Sequence, residues 1–283
     1  MTNPKIALNM SMVKFIMWEH GPDYTFERVK KAGVSFFELS QVDMTEEFIA
    51  ETCEASKKHG ITVISTSVNY RPLFGPTAKG LDLERDLDKI ITINKRLGVT
   101  YVRNSLMPSD CVHNEQGYHD AAKAFNMYGK ILQDEGLKFY YHNHHFEFEK
   151  FRGKTGFDIL IEETDPELVG FELDVHWIQR GGKNPITLIE QLKGRVDLVH
   201  LKDYRIVFPD VQPTPELFHK EQCIQFAEIG EGNLDIAGII EASLKAGAIF
   251  LPIEQDTCYG KDPFECLELS ISNIKYLGYS NLV

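Results

Sequence analysis

Short apolar runs alternate along this chain with longer segments in which apolar residues recur at helical spacing. The runs predict eight β-strands, at Ile6–Met10, Ser35–Leu39, Thr62–Thr66, Tyr101–Asn104, Lys138–His142, Val169–Asp174, Asp197–Leu201 and Ile249–Glu254. A helical pattern follows each of them. The clearest covers Asp82 to Leu97, with Leu83, Leu87, Ile90, Ile91 and Leu97 on one face. Asp82 is placed to cap it, Glu84 and Asp86 sit early, Lys95 and Arg96 sit late, and Gly98 stops it. A second spans Thr45 to His59, with Glu46 and Glu47 in its first turn and Gly60 beyond its end. Further helices are expected near 24–32, 119–135, 155–164, 184–193, 234–246 and 262–277.

Strict alternation of strand and helix implies parallel strands covered on both faces. A closed barrel and an open doubly wound sheet share that local pattern. No G-x-G-x-x-G follows the first strand, where a dinucleotide fold needs one. Polar residues also gather at the ends of successive strands, as at the mouth of a barrel. The expectation is one α/β domain over 1–283, a (β/α)8 TIM barrel. A long loop at about 204–229, holding Pro209, Pro213 and Pro215, breaks the rhythm.

Composition narrows the partners. The 283 residues are 43% apolar and 25% charged, enough for a large core. The net charge of −12 argues against a nucleic-acid partner, whose phosphates call for a basic footprint. Five dispersed cysteines without a C-x-x-C pair suggest neither a disulfide framework nor a thiolate zinc site, so a reducing cytoplasm fits. No membrane span and no signal peptide are expected. A homo-oligomer is compatible with the sequence.

The chemistry concentrates in four segments near strand ends: HNHHFEF at 142–148, ELDVH at 172–176, VHLKD at 199–203 and PIEQD at 252–256. In a closed barrel they bring Glu147, Asp174, His200 and Glu254 side by side. Three carboxylates in a partly desolvated mouth repel strongly, which calls for a divalent cation between them.

Together with EIGEGNLD, these motifs in this order resemble the xylose isomerase-like TIM barrels, the sugar phosphate isomerase/epimerase superfamily. The resemblance implies one divalent metal held by Glu147, Asp174, His200 and Glu254, with Glu147 and Glu254 also serving as catalytic acid and base. Such an oxygen-rich set with one imidazole favours Mn2+, with Mg2+, Co2+ or Zn2+ as alternatives. Two adjacent substrate oxygens could complete the ion's shell, and polarisation of a ketone would stabilise an enediolate.

The substrate expected is therefore a small ketose, polyol or cyclitol, and the reaction isomerisation or epimerisation. Dehydration of a keto-cyclitol on the same scaffold is the alternative. Substrate-binding candidates are His144, Lys202, Glu38 and His176, with Trp177 and Phe74 as pocket walls. His176 lies two residues after Asp174, where sugar epimerases commonly place a histidine three residues on, so it faces differently. The glycines of GEGN could approach a phosphate, although turn geometry explains them as well. An apurinic-site endonuclease would need histidines on the third and fourth strands, and ITVISTSVNY and TYVRNSL have none. A non-catalytic sugar-binding barrel would need no metal.

Overall fold

Eight parallel strands close on themselves: β1 (Lys5–Asn9), β2 (Phe36–Leu39), β3 (Thr62–Val68), β4 (Tyr101–Asn104), β5 (Lys138–His142), β6 (Val169–Asp174), β7 (Leu198–His200) and β8 (Phe250–Ile253). Each pairs with its neighbours in sequence, and β8 returns to β1 through Lys5↔Phe250 and Leu8↔Ile253. The predicted (β/α)8 TIM barrel is the observed fold. The computed structural model describes residues 4–75, 80–208, 214–216 and 223–283; Pro209 and Pro213 of the expected long loop lie outside them.

The helices obey the chain's local signals. They are α1 (Lys14–Lys31), α2 (Glu46–His59), α3 (Leu83–Leu97), α4 (Glu115–Asp134), α5 (Gly156–Glu163), α6 (Pro185–Gln191), α7 (Ile236–Ala246) and α8 (Pro263–Ile274), with a short extra turn at Val175–Arg180. Asp82 caps α3 by accepting from the Arg85 amide at 2.9 Å, and Gly98 ends it in the left-handed conformation. Thr45 and Gly60 do the same for α2. The first helix begins well before the expected 24–32. Gly21 breaks it (φ 74°, ψ −177°) and Pro22 opens its second half, so two short segments hide a longer helix from any periodicity reading.

Strand alternation sorts side chains to two sides. Those facing outward pack with the helices into the main core. Inside, at the bottom of the barrel, Ala7, Ile64, Tyr101, Tyr140 and Leu198 form a small separate apolar cluster, with Phe36 and Phe250 against it. One irregularity governs the layer above. The β2–β3 register runs Phe37↔Val63 and then Glu38↔Ser65, skipping Ile64. This bulge turns Ser65 inward, where its hydroxyl donates to Glu38 Oε1 at 2.8 Å.

The expected loop over 204–229 contains a β-hairpin, in which Asp203–Ile206 pairs antiparallel with Ile224–Ala227. Asp203 ties it down. Its carboxylate accepts from the amides of Tyr204, Gly230, Gly232 and Leu234 at 2.8–3.2 Å. A Cβ on Gly232 would lie 2.2 Å from Asp203 Oδ1, which is why glycine stands there.

The bottom cluster depends on Gly170, since a Cβ there would lie 2.3 Å from the Tyr140 ring. Gly170→Ala should therefore lower stability by about 1–3 kcal/mol, the usual cost of overpacking. Thermal unfolding of wild type and variant checks this, with a Tm drop of several degrees expected.

Candidate metal centre in the barrel mouth

Above the apolar floor, the barrel interior turns ionic. Glu38 on β2, Arg103 on β4, Glu172 on β6 and His200 on β7 are all buried and interlocked. Arg103 Nη1 donates to Glu172 Oε2 at 2.9 Å. His200 Nε2 lies 2.7 Å from Glu38 Oε2 and 3.3 Å from Glu172 Oε2. Glu38 also accepts from Asn9 Nδ2 at 3.0 Å. Burial works against charge on the His200 ring, but Glu172, Glu38 and Glu254 outweigh it and hold the imidazolium pKa well above normal. Burial likewise raises the Glu172 pKa, yet His200 and Arg103 overcome this and bring it to about 2.

One step higher, His142, Asp174, His200 and Glu254 converge. Their ligating atoms all lie within 4.8 Å of one another, a grouping that could hold a metal ion. Local backbone explains each placement. His142 and Asp174 are the last residues of β5 and β6. Asp174 Oδ1 caps the next turn through the amides of His176 (2.9 Å) and Trp177 (3.1 Å), leaving Oδ2 turned away. Glu254 is carried just past β8 by its amide bond to the Leu201 carbonyl at 3.0 Å. Its Oε2 faces His200 Nδ1 at 2.8 Å and its Oε1 accepts from Ser11 Oγ at 2.9 Å.

Two buried atoms of this set have no hydrogen-bond partner: Asp174 Oδ2, with Lys202 Nζ 3.5 Å away, and His142 Nδ1, with Glu172 Oε2 3.2 Å away. An unsatisfied polar atom at this depth costs about 1–3 kcal/mol, and a cation beside Asp174 Oδ2 would satisfy it. Burial raises the Asp174 pKa to about 7, with the Glu254 charge adding to it. Glu254 moves the opposite way, because Lys202 and His200 overcome its burial. Burial, then the His200 and Arg103 charges, keeps His142 neutral, the form that ligates. The residues therefore fit an ion.

The sequence-predicted residues divide sharply. Asp174, His200 and Glu254 come together, but Glu147 does not join them. It sits on a 3-10 turn beyond β5, fully buried, accepting from Tyr141 Oη at 2.5 Å and the His144 amide at 2.9 Å. His142 takes the place at the end of β5. Glu38, expected to meet substrate, has both oxygens engaged below the mouth by Asn9, Ser65 and His200. His176 packs among Trp177, Tyr204 and Phe226 and does not line the cavity. Lys202 is buried with its ammonium 2.7 Å from Asp256 Oδ2, 3.3 Å from Glu254 Oε2 and 3.5 Å from Asp174 Oδ2. Phe74 is 76% exposed. The amides of Gly230 and Gly232 bind Asp203, so they offer no phosphate cradle.

A cavity of about 1040 Å³ opens over Glu254, His142 and His144 and reaches across the ends of β2, β3 and β4. Ser40, Gln41, Ser67, Asn69 and Ser105 supply neutral polar groups there, while Met17, Trp18 and Leu73 supply apolar wall. His144 presents an unpartnered Nδ1, and burial together with His142 and Lys202 holds its ring neutral. Arg103 is the one cation among the described lining residues, and Glu172 and Ser67 already hold it.

Residues 26–249 match the family described as xylose isomerase-like TIM barrel. An inosose dehydratase of Clostridium tetani is 27% identical over 171 residues, 59% of this chain and 55% of that protein. The chain thus spans about half the length of the curated relatives it matches. A sugar phosphate isomerase/epimerase structure from Parabacteroides distasonis superposes with a TM-score of 0.74 at 21% identity, covering 100% of this chain and 96% of that one. The structure of IOLI protein with a bound zinc atom gives 0.69 at 16% identity, with 99% of each chain covered. Identities this low establish the shared fold alone.

His142→Ala should weaken Mn2+ or Zn2+ binding by about 100-fold or more, at the upper end of what loss of a close supporting group costs. Glu147→Gln should leave the affinity within a few-fold. Calorimetric titration of both variants measures this; the reverse order would return the fourth ligand to Glu147.

Proposed function

Because the chain belongs to the xylose isomerase-like TIM barrel family, we propose that it is a metal-dependent enzyme that enolises a small, unphosphorylated polyhydroxy ketone, with dehydration of a keto-cyclitol as the reaction favoured. The observation that carries this reading is the convergence of His142, Asp174, His200 and Glu254 beside a cavity that His142 and Glu254 line. Two imidazoles and two carboxylates suit a borderline divalent ion such as Zn2+, Mn2+ or Co2+. A divalent ion bound there would supply Lewis acidity to the ketone oxygen.

The chain's own groups account for the rest. Ser67, Asn69, Ser105 and Gln41 can bond several hydroxyls at once, which matches a polyol. With Arg103 committed to Glu172, no free cation among the described lining residues awaits a phosphate. Among the cavity-lining groups, His144 and Glu254 are the pair assigned to proton transfer. His144 is held neutral and can accept the proton α to the carbonyl, whose electrons pass into the enolate. Glu254 follows β8, three strands around the ring from the β5 end that carries His144, and can assist the second proton transfer. In dehydration, a proton reaches the β-hydroxyl as its C–O bond breaks and water leaves. In epimerisation or isomerisation, the proton returns to carbon instead.

The kinship with inosose dehydratases favours the first outcome. Metal-loaded protein incubated with keto-inositols and unphosphorylated ketoses in deuterated solvent separates the two. Product lighter by one water supports dehydration, and unchanged skeletal mass with deuterium uptake supports epimerisation. No turnover of either class with Mn2+, Zn2+ or Co2+ would sink the proposal. His144→Ala and Glu254→Gln should each lower turnover about 100-fold or more, the usual scale of a general acid–base contribution.

A further inference from the structure

Lys202 and a divalent ion are rivals for the same carboxylates. The ammonium lies 3.3 Å from Glu254 and 3.5 Å from Asp174, the two acidic members of the proposed ion site. It also lies 2.7 Å from Asp256, which is outside that site. We propose that Lys202 is a built-in counter-cation that neutralises Asp174 and Glu254 without a divalent ion and withdraws to Asp256 when one binds, so that the Lys202–Asp256 pair sets the affinity of the metal centre. This inference rests on the ion site proposed above.

The geometry gives the ammonium few other places to go. Lys202 is 2% exposed and follows His200, the last residue of β7, by two positions, so both side chains lie on the same face of the extended chain. The Trp177 and Phe226 rings stand 5.0 and 5.1 Å from Nζ and close off the hairpin side. Asp256 repeats the same spacing after Glu254, and at 32% its side chain keeps some contact with solvent. A divalent ion held by Asp174 and Glu254 would repel an ammonium sharing those oxygens, and Asp256 is the nearest acceptor outside the ion's shell. Binding of metal is thereby coupled to displacement of a charge already in place. Such couplings are commonly worth about 5- to 150-fold in affinity.

The test is calorimetric titration of Mn2+ into chelator-treated wild type, Lys202→Met and Asp256→Asn, with folding of each followed by circular dichroism. Removing the competitor should tighten Mn2+ about tenfold or more in Lys202→Met. Chelated Lys202→Met should also melt below chelated wild type, and saturating Mn2+ should raise its Tm by more than it raises that of wild type. Removing the refuge should weaken Mn2+ about tenfold in Asp256→Asn, which also serves if Lys202→Met does not fold. Affinities within twofold of wild type in the variants that fold would overturn this inference alone. Failure of wild-type protein to bind Mn2+, Zn2+ or Co2+ would overturn the ion site itself and this inference with it.

Discussion

Four carboxylates, those of Glu38, Glu172, Asp174 and Glu254, are enclosed within one ring of strands, and their neutralisation is the constraint on which the rest of the structure depends. Leaving one member of a buried ion pair without its partner costs about 3–5 kcal/mol, so the interior must be balanced residue by residue. The barrel does this in two tiers. Arg103 and the imidazolium of His200 answer the lower pair, and Lys202 answers the upper pair. His200 belongs to both tiers, with one ring nitrogen toward Glu38 and the other toward Glu254. Any change at the mouth is therefore felt in the layer beneath.

This arrangement explains which parts of the sequence could be read directly. Strand positions were legible because fully buried parallel strands leave continuous apolar runs, as in KFYYH and VGFELD, and the helices because Thr45, Asp82, Gly60 and Gly98 punctuate them. Asp174, His200 and Glu254 were legible for a related reason: each sits where an apolar run stops. Glu147 stands apart from the other three in a motif with five polar candidates in seven residues, where only the turn at Phe146–Phe148 decides which of them faces the axis. That turn directs the glutamate toward Tyr141 and leaves His142, the true strand terminus, in the mouth.

Other residues had no such signal. Arg103 and Glu172 look like ordinary strand residues, and only closure of the ring joins β4 to β6. Ser11 reaches Glu254 across 243 positions of sequence. Parity did carry a hint, since Glu172 and Asp174 share a face of β6, and a carboxylate two places before a strand-end carboxylate must also be buried. The donor set changes accordingly. A cation held by His142, Asp174, His200 and Glu254 would meet a softer donor set than three carboxylates and a single histidine would offer.

The skipped residue in β3 shows how narrowly the ionic tier is framed. Ile64 is surplus to the ladder: skipping it leaves Ser65 opposite Glu38 and Ser67 at Arg103, while Ile64 itself joins the apolar floor. An in-frame loss of that one codon would restore a regular ladder, leave both hydroxyls facing the axis and remove a side chain from the apolar floor. The ionic tier would keep every one of its own residues and still lose part of the layer it rests on.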